Sequence, residues 1–88
     1  MTYTVEIRPA AALSIKKLTR VVKEQVFHQL EELELDPRPS GVKKLSGKNN
    51  LYRVKVGEYR IVYEIRDAVL LILVVAVGHR REIYRDLS

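Results

Sequence analysis

Eighty-eight residues with a net charge of +5, 47% apolar side chains and no cysteine suffice for one small domain with a modest core. They exclude a disulfide framework and a thiolate metal site, and so much Val, Leu and Ile argues against disorder. The charge is uneven: residues 1–40 carry six Lys/Arg against six Asp/Glu, whereas residues 41–88 carry ten against five, so the second half is expected to present a basic surface suited to a polyanion.

The first segment, "TYTVEI", alternates and reads as a strand with Tyr3, Val5 and Ile7 on one face. Pro9 suits the first turn of a short helix, "AAALSIKKL". Leu18-Thr19-Arg20 reads as a break, with Thr19 placed to cap a second helix running to about Leu35. In that helix Val22, Val26, Leu30 and Leu33 form one apolar stripe. "DPRPSG" ends it, because proline cannot continue a helix. "VKKLSGKNN" reads as a loop, followed by strands at Leu51–Val56, Tyr59–Ile65 and Val69–Val77 and a tail, "GHRREIYRDLS". The ten-residue apolar run from Ala68 to Val77 is too short for a membrane-spanning helix and fits a buried strand. Charged Glu6 and Arg8 interrupt any secretory leader. The order β-α-α-β-β-β gives an α+β domain over residues 1–88: two helices on one face of a four-stranded, mostly antiparallel sheet, the other face partly open.

The open face carries the chemistry. In "LYRVKVGEYRIVYEI" a two-residue turn at Gly57-Glu58 pairs Val56 with Tyr59, Lys55 with Arg60, Val54 with Ile61 and Arg53 with Val62. This register keeps the apolar residues together, and a one-residue slip would bury Arg60. Glycine in the first turn position suits a type II′ turn. Arg53, Lys55 and Arg60 then cluster away from the helices. Like charges facing each other across strands repel, and a bound phosphate would turn that repulsion into attraction. His79, Arg80 and Arg81 follow the last strand, and Tyr84 is near enough to return to the same surface. An aromatic ring beside cations suits RNA, stacking on a base while the cations hold phosphates. Lys43, Lys44 and Lys48 of the loop are further substrate-binding candidates, together with His79 and Arg81.

The same cluster suits RNA cleavage by its own 2′-OH. That reaction needs a base, cations for the phosphorane charge and an acid for the departing oxygen. Lysine is ordinarily a poor base at neutral pH, but two neighbouring arginines favour its neutral form, which makes Lys55 a candidate. His79 and Glu64 are the other base candidates. His79 is a candidate proton donor.

"DPRPSGVKKLSG", "LYRVKVGEYRIVYEI" and "VGHRREIY", in that order, resemble the RelE toxins of the RelE/ParE toxin–antitoxin superfamily. The resemblance implies a βααβββ fold with sheet order 1-4-3-2 and strands 1 and 4 parallel. It also implies a cytoplasmic, ribosome-dependent endoribonuclease that cuts messenger RNA in the A site, with no metal or other cofactor. Partners would be a cognate antitoxin, the ribosome and mRNA, and no membrane. The catalytic residues so implied are Lys55 as general base, Arg53 and Arg60 on the transition-state phosphate, Arg80 as general acid (with Arg81 as the alternative) and Tyr84 positioning the substrate. Transition-state stabilisation is the physically sounder role for Arg80, since a guanidinium does not readily release its proton. Only four residues follow Tyr84, so a C-terminal helix displaced by antitoxin is not expected. An antitoxin would instead cover the basic face with an acidic amphipathic segment. Two alternatives remain: a ParE-like inhibitor of DNA gyrase, which has no need of Lys55, Arg60 and Tyr84 together, and an inactive RNA-binding relative.

Overall fold

The structure is a computed structural model, and it describes residues 2–45 and 50–83. Its elements are β1 (Thr4–Ile7), α1 (Pro9–Lys16), α2 (Arg20–Leu35), β2 (Lys43–Lys44), β3 (Leu51–Val56), β4 (Tyr59–Arg66), a 3-10 turn (Asp67–Val69) and β5 (Leu71–His79). Pro9 opens α1, and the Thr19 hydroxyl accepts the Val22 N–H at the start of α2. Both helix starts therefore follow the local chemistry of the sequence. Val26, Leu30 and Leu33 of the α2 stripe are buried.

The sheet has five strands in the order β1-β5-β4-β3-β2, not the expected four. Lys43–Lys44, read as loop, pair antiparallel with Arg53 and Tyr52 at the outer edge of β3. A two-residue ladder is too short to carry a hydrophobic period, so nothing in its sequence marks it. β1 runs parallel to β5, and the other pairs are antiparallel. Both helices pack on one face, against Tyr52, Val54, Ile61, Tyr63, Ile72 and Val74 among others. Among the described residues no helix is long and apolar enough to cross a membrane.

The last strand starts later than its composition suggests. Asp67–Val69 make the 3-10 turn, and Leu70 closes it in the left-handed region at φ 51°. The chain must reverse here to pair β5 with β4, and the exposed Val69 belongs to that reversal. β5 also holds a bulge. Its register against β4 shifts between Val62 and Tyr63, so that Val75 faces no partner. Both Val74 and Val77 thereby reach the helix-side core.

Arg38, after α2, ties this end of the sheet together. Its guanidinium grips the Asp67 carboxylate at 3.2 and 2.9 Å and donates from Nε to the Tyr52 hydroxyl at 3.2 Å. The Tyr3 hydroxyl donates to the same carboxylate at 2.6 Å. The Arg38 hydrogen bonds, and then the Tyr3 hydroxyl, hold the Asp67 carboxyl down at about 2. A carboxyl held below its ordinary value stabilises the fold above that value and loses the contribution as pH falls through the lowered one. The expected result is a melting-temperature gap between the native chain and Asp67→Asn that is full above pH 4 and closes towards pH 2. Thermal melts across that range check it, and a gap independent of pH would contradict it.

Candidate active site

The hairpin β3–β4 pairs Lys55 with Arg60, Arg53 with Val62 and Val54 with Ile61, the register expected from alternation. Gly57 has φ +59° and, among the described residues, Leu70 is the one non-glycine at positive φ, so the turn has the positive first position and ordinary second position of type II′. Val54 and Ile61 belong to the helix-side core, so Arg53, Lys55 and Arg60 lie on the opposite face. Lys43 sits opposite Arg53 and extends the row to four cations. Lys44 sits opposite Tyr52, a residue of the core. It therefore leaves the cation face, a correction that follows from side chains alternating across even a two-residue strand.

The cations are not equivalent. Lys55 is exposed and Arg53 is half-buried. Arg60 is only 9% exposed: its Nη1 donates to the carbonyls of Gly57 at 3.1 Å and Tyr59 at 3.0 Å. It is not a free arm converging on its neighbours, as three solvated side chains would be. Its head turns back onto the hairpin, where two carbonyl dipoles lessen the repulsion from Lys55.

The segment after β5 folds against the same turn. The Arg80 N–H donates to the Glu58 carbonyl at 2.8 Å, and its side-chain Nε sits 2.8 Å from the Glu58 carboxylate. The amides of Glu82 and Ile83 both donate to the His79 carbonyl. Gly78 lies opposite Arg60, and a Cβ built on it would come within 3.3 Å of the Ile83 side chain. The cation face is thus bounded at this end by buried Ile83. Arg81 is exposed.

His79 departs from expectation. It pairs with Tyr59, which pairs with core Val56, so its ring lies on the helix side, 5.6 Å edge-on from Tyr59. There it borders a cleft of about 240 Å³ with Ser14, Lys17 and Tyr59. Its Nδ1 accepts the Arg81 N–H at 3.2 Å. The histidine shapes the turn that carries the arginines and lies across the sheet from Lys55. Glu64 also faces away from the core, but opposite Leu51, and its carboxylate is engaged by Arg66 at 3.0 Å. Lys48 and Tyr84 lie outside the described residues.

Arg53, Lys55, Arg60 and Arg80 thus gather around one hairpin on an open ridge. Among the described residues, a cleft of about 550 Å³ borders Val56 and Gly57 together with Val21 and His28 of α2, and one of about 410 Å³ lies between β1 and α2, bordered by Val5, Ile7 and Phe27; neither is lined by these cations. A ridge of cations suits a long polyanion better than a small ligand, which needs enclosure.

A family model described as the ParE toxin of the type II toxin–antitoxin system parDE matches residues 5–84. The mRNA interferase toxin RelE of Escherichia coli (strain K12) is 31% identical over 90 residues, covering 98% of this chain and 94% of that protein. The chain belongs to the RelE/ParE toxin family. RelE in the intact E. coli RelBE toxin–antitoxin complex superposes with a TM-score of 0.78 at 30% identity, over 88% of this chain and 95% of that one. The archaeal RelE–RelB complex of Pyrococcus horikoshii OT3 gives a TM-score of 0.81 at 27% identity, over 91% and 97%. For a RelE/ParE toxin of this chain's sequence, the placement of Arg53, Lys55 and Arg60 on one face is legible from strand alternation. The engagement of Arg80 by Glu58 was not, because it joins positions 22 residues apart in sequence through a turn that no local pattern marks.

Proposed function

We propose that this chain is the toxin of a type II toxin–antitoxin pair, a single-domain, cytoplasmic endoribonuclease that cuts messenger RNA in the ribosomal A site. The observation that carries this reading is Lys55 paired with Arg60 on the sheet face opposite the helices, with Arg80 held at the same hairpin. The E. coli K12 relative described as an mRNA interferase toxin supports it. Complexes of RelE relatives with RelB support a cognate antitoxin as partner.

In the proposed reaction Lys55 takes the proton of the 2′-OH. The 2′-oxygen attacks the adjacent phosphorus as the bond to the 5′-oxygen breaks. Arg53 and Arg60 oppose the negative charge of the phosphorane, and Arg80 holds the same charge as the leaving 5′-oxygen departs and takes a proton from water. The products are a 2′,3′-cyclic phosphate and a 5′-OH. The protein's own residues supply base and charge, while the ribosome supplies substrate orientation.

The test is a purified translation reaction with mapped mRNA ends. Cuts in phase with codons, dependent on ribosomes and ending in cyclic phosphate, support the reading. The family model's ParE description keeps a second reading in play: inhibition of DNA gyrase with intact mRNA would replace the first. Within the nuclease reading, Arg60→Ala should lower single-turnover cutting about 100-fold or more. Arg60→Lys should restore only part, because lysine keeps the charge but not the planar guanidinium fork that can hold a phosphate through two nitrogens. An Arg60→Ala protein that cuts at the native rate would remove Arg60 from the site.

A further inference from the structure

Both candidate arginines are tied to the two-residue turn Gly57-Glu58, but in different ways. Arg60 bonds to the carbonyls of Gly57 in the turn and Tyr59 just after it, so its tether is part of the hairpin itself. Arg80 has two attachments: a backbone bond to the Glu58 carbonyl and a side-chain ion pair with the Glu58 carboxylate. The backbone bond, with those from Glu82 and Ile83 to the His79 carbonyl, already secures the turn. A type II′ turn requires glycine first and sets no demand for an acid second. The carboxylate is therefore dispensable to the fold, yet it stands on one of the cations that RNA would need.

We infer that Glu58 is a self-masking residue: its carboxylate occupies the Arg80 guanidinium in the free toxin and yields it to the RNA phosphate on binding. The inference rests on the nuclease reading above and adds a regulation of that site. Glu58 meets the guanidinium at Nε, on an edge that could equally donate to a phosphate in the forked manner, so the two anions compete for that edge of Arg80. The side chains of Arg80 and Glu58 are 51% and 62% exposed. An ion pair this open to water is weak, which suits exchange: RNA can displace Glu58 at small cost. The phosphorane carries more negative charge than either the carboxylate or the ground-state phosphate, so once RNA is bound Glu58 does not compete in the transition state. The mask thus acts on binding and leaves the chemical step alone.

Kinetics of mRNA cutting on programmed ribosomes test this with the full chain and three variants: Glu58→Gln, Arg80→Ala and the double variant. Glu58→Gln should lower KM by a factor of about two to five with kcat unchanged, and the gain should vanish in the Arg80→Ala background. A Glu58→Gln protein with lower kcat would mean that Glu58 positions Arg80 rather than masking it. An equal gain with and without Arg80 would reduce Glu58 to a general charge effect. Either result overturns the inference while leaving the nuclease reading standing. If Arg80→Ala alone cuts like the native chain, Arg80 does not touch substrate, and its assignment in the reading falls together with the mask.

Discussion

Lys55→Arg is expected to stop messenger RNA cutting as fully as Lys55→Ala, by about 100- to 10,000-fold in the chemical step. The two changes differ in charge but share one defect: neither side chain can serve as a neutral nitrogen base, because a guanidinium stays protonated throughout the working pH range. Single-turnover cutting measures the loss. If Lys55→Arg cuts well while Lys55→Ala does not, Lys55 is a phosphate ligand and the base lies elsewhere. Neither change should disturb folding. Lys55 is exposed on a stretch of β3 that β2 does not reach, and substitutions at such positions ordinarily move stability by less than about 0.5 kcal/mol. A normal unfolding curve would therefore assign the loss to chemistry.

The largest expected effect on stability lies at Tyr63. Its side chain is fully buried at 0% exposure and stacks on Tyr52 with 6.1 Å between ring centroids. Its hydroxyl donates to the Pro37 carbonyl at 2.8 Å. Burial pushes that hydroxyl well above the usual tyrosine range, so it remains a donor at any working pH. Tyr63→Ala removes the ring and leaves a cavity, and should cost about 3–5 kcal/mol, much of what a domain of this size has to lose. Tyr63→Phe keeps the ring but strands the carbonyl of buried Pro37, and should cost about 1–3 kcal/mol. Urea unfolding of the two proteins separates packing from the hydrogen bond. Equal losses would mean that the ring contributes little beyond its hydroxyl.

Tyr63 also illustrates how far the sequence could be read. Its burial follows from alternation in Tyr59–Ile65, as does the opposition of Lys55 and Arg60. A one-residue slip would have turned Arg60 into the helix-side core, and Gly57 favoured the turn that keeps it on the other face. The bond from Tyr63 to Pro37 joins positions 26 residues apart and leaves no such trace. Nor do the Arg38–Asp67 clamp and the Arg80–Glu58 ion pair. A surface arginine or glutamate has no sequence signal for its partner when that partner arrives from another element. Lys43 joined the cation row because β2 happens to lie alongside β3, again a matter of assembly.

Periodicity alone decided the hairpin, its register and the face that bears Arg53, Lys55 and Arg60, because in those strands polar and apolar residues alternate and only one pairing buries the apolar set. The tertiary structure alone decided which way His79 points. Had alternation continued unbroken from core Val74, positions 75, 77 and 79 would face away from the helices. The bulge at Val75 reverses that count, turns Val77 and His79 to the helix side and sets Gly78 opposite Arg60. In a strand apolar at nearly every position an inserted residue leaves no break in the pattern, so its place is chosen by the packing of both faces and cannot be read along the chain.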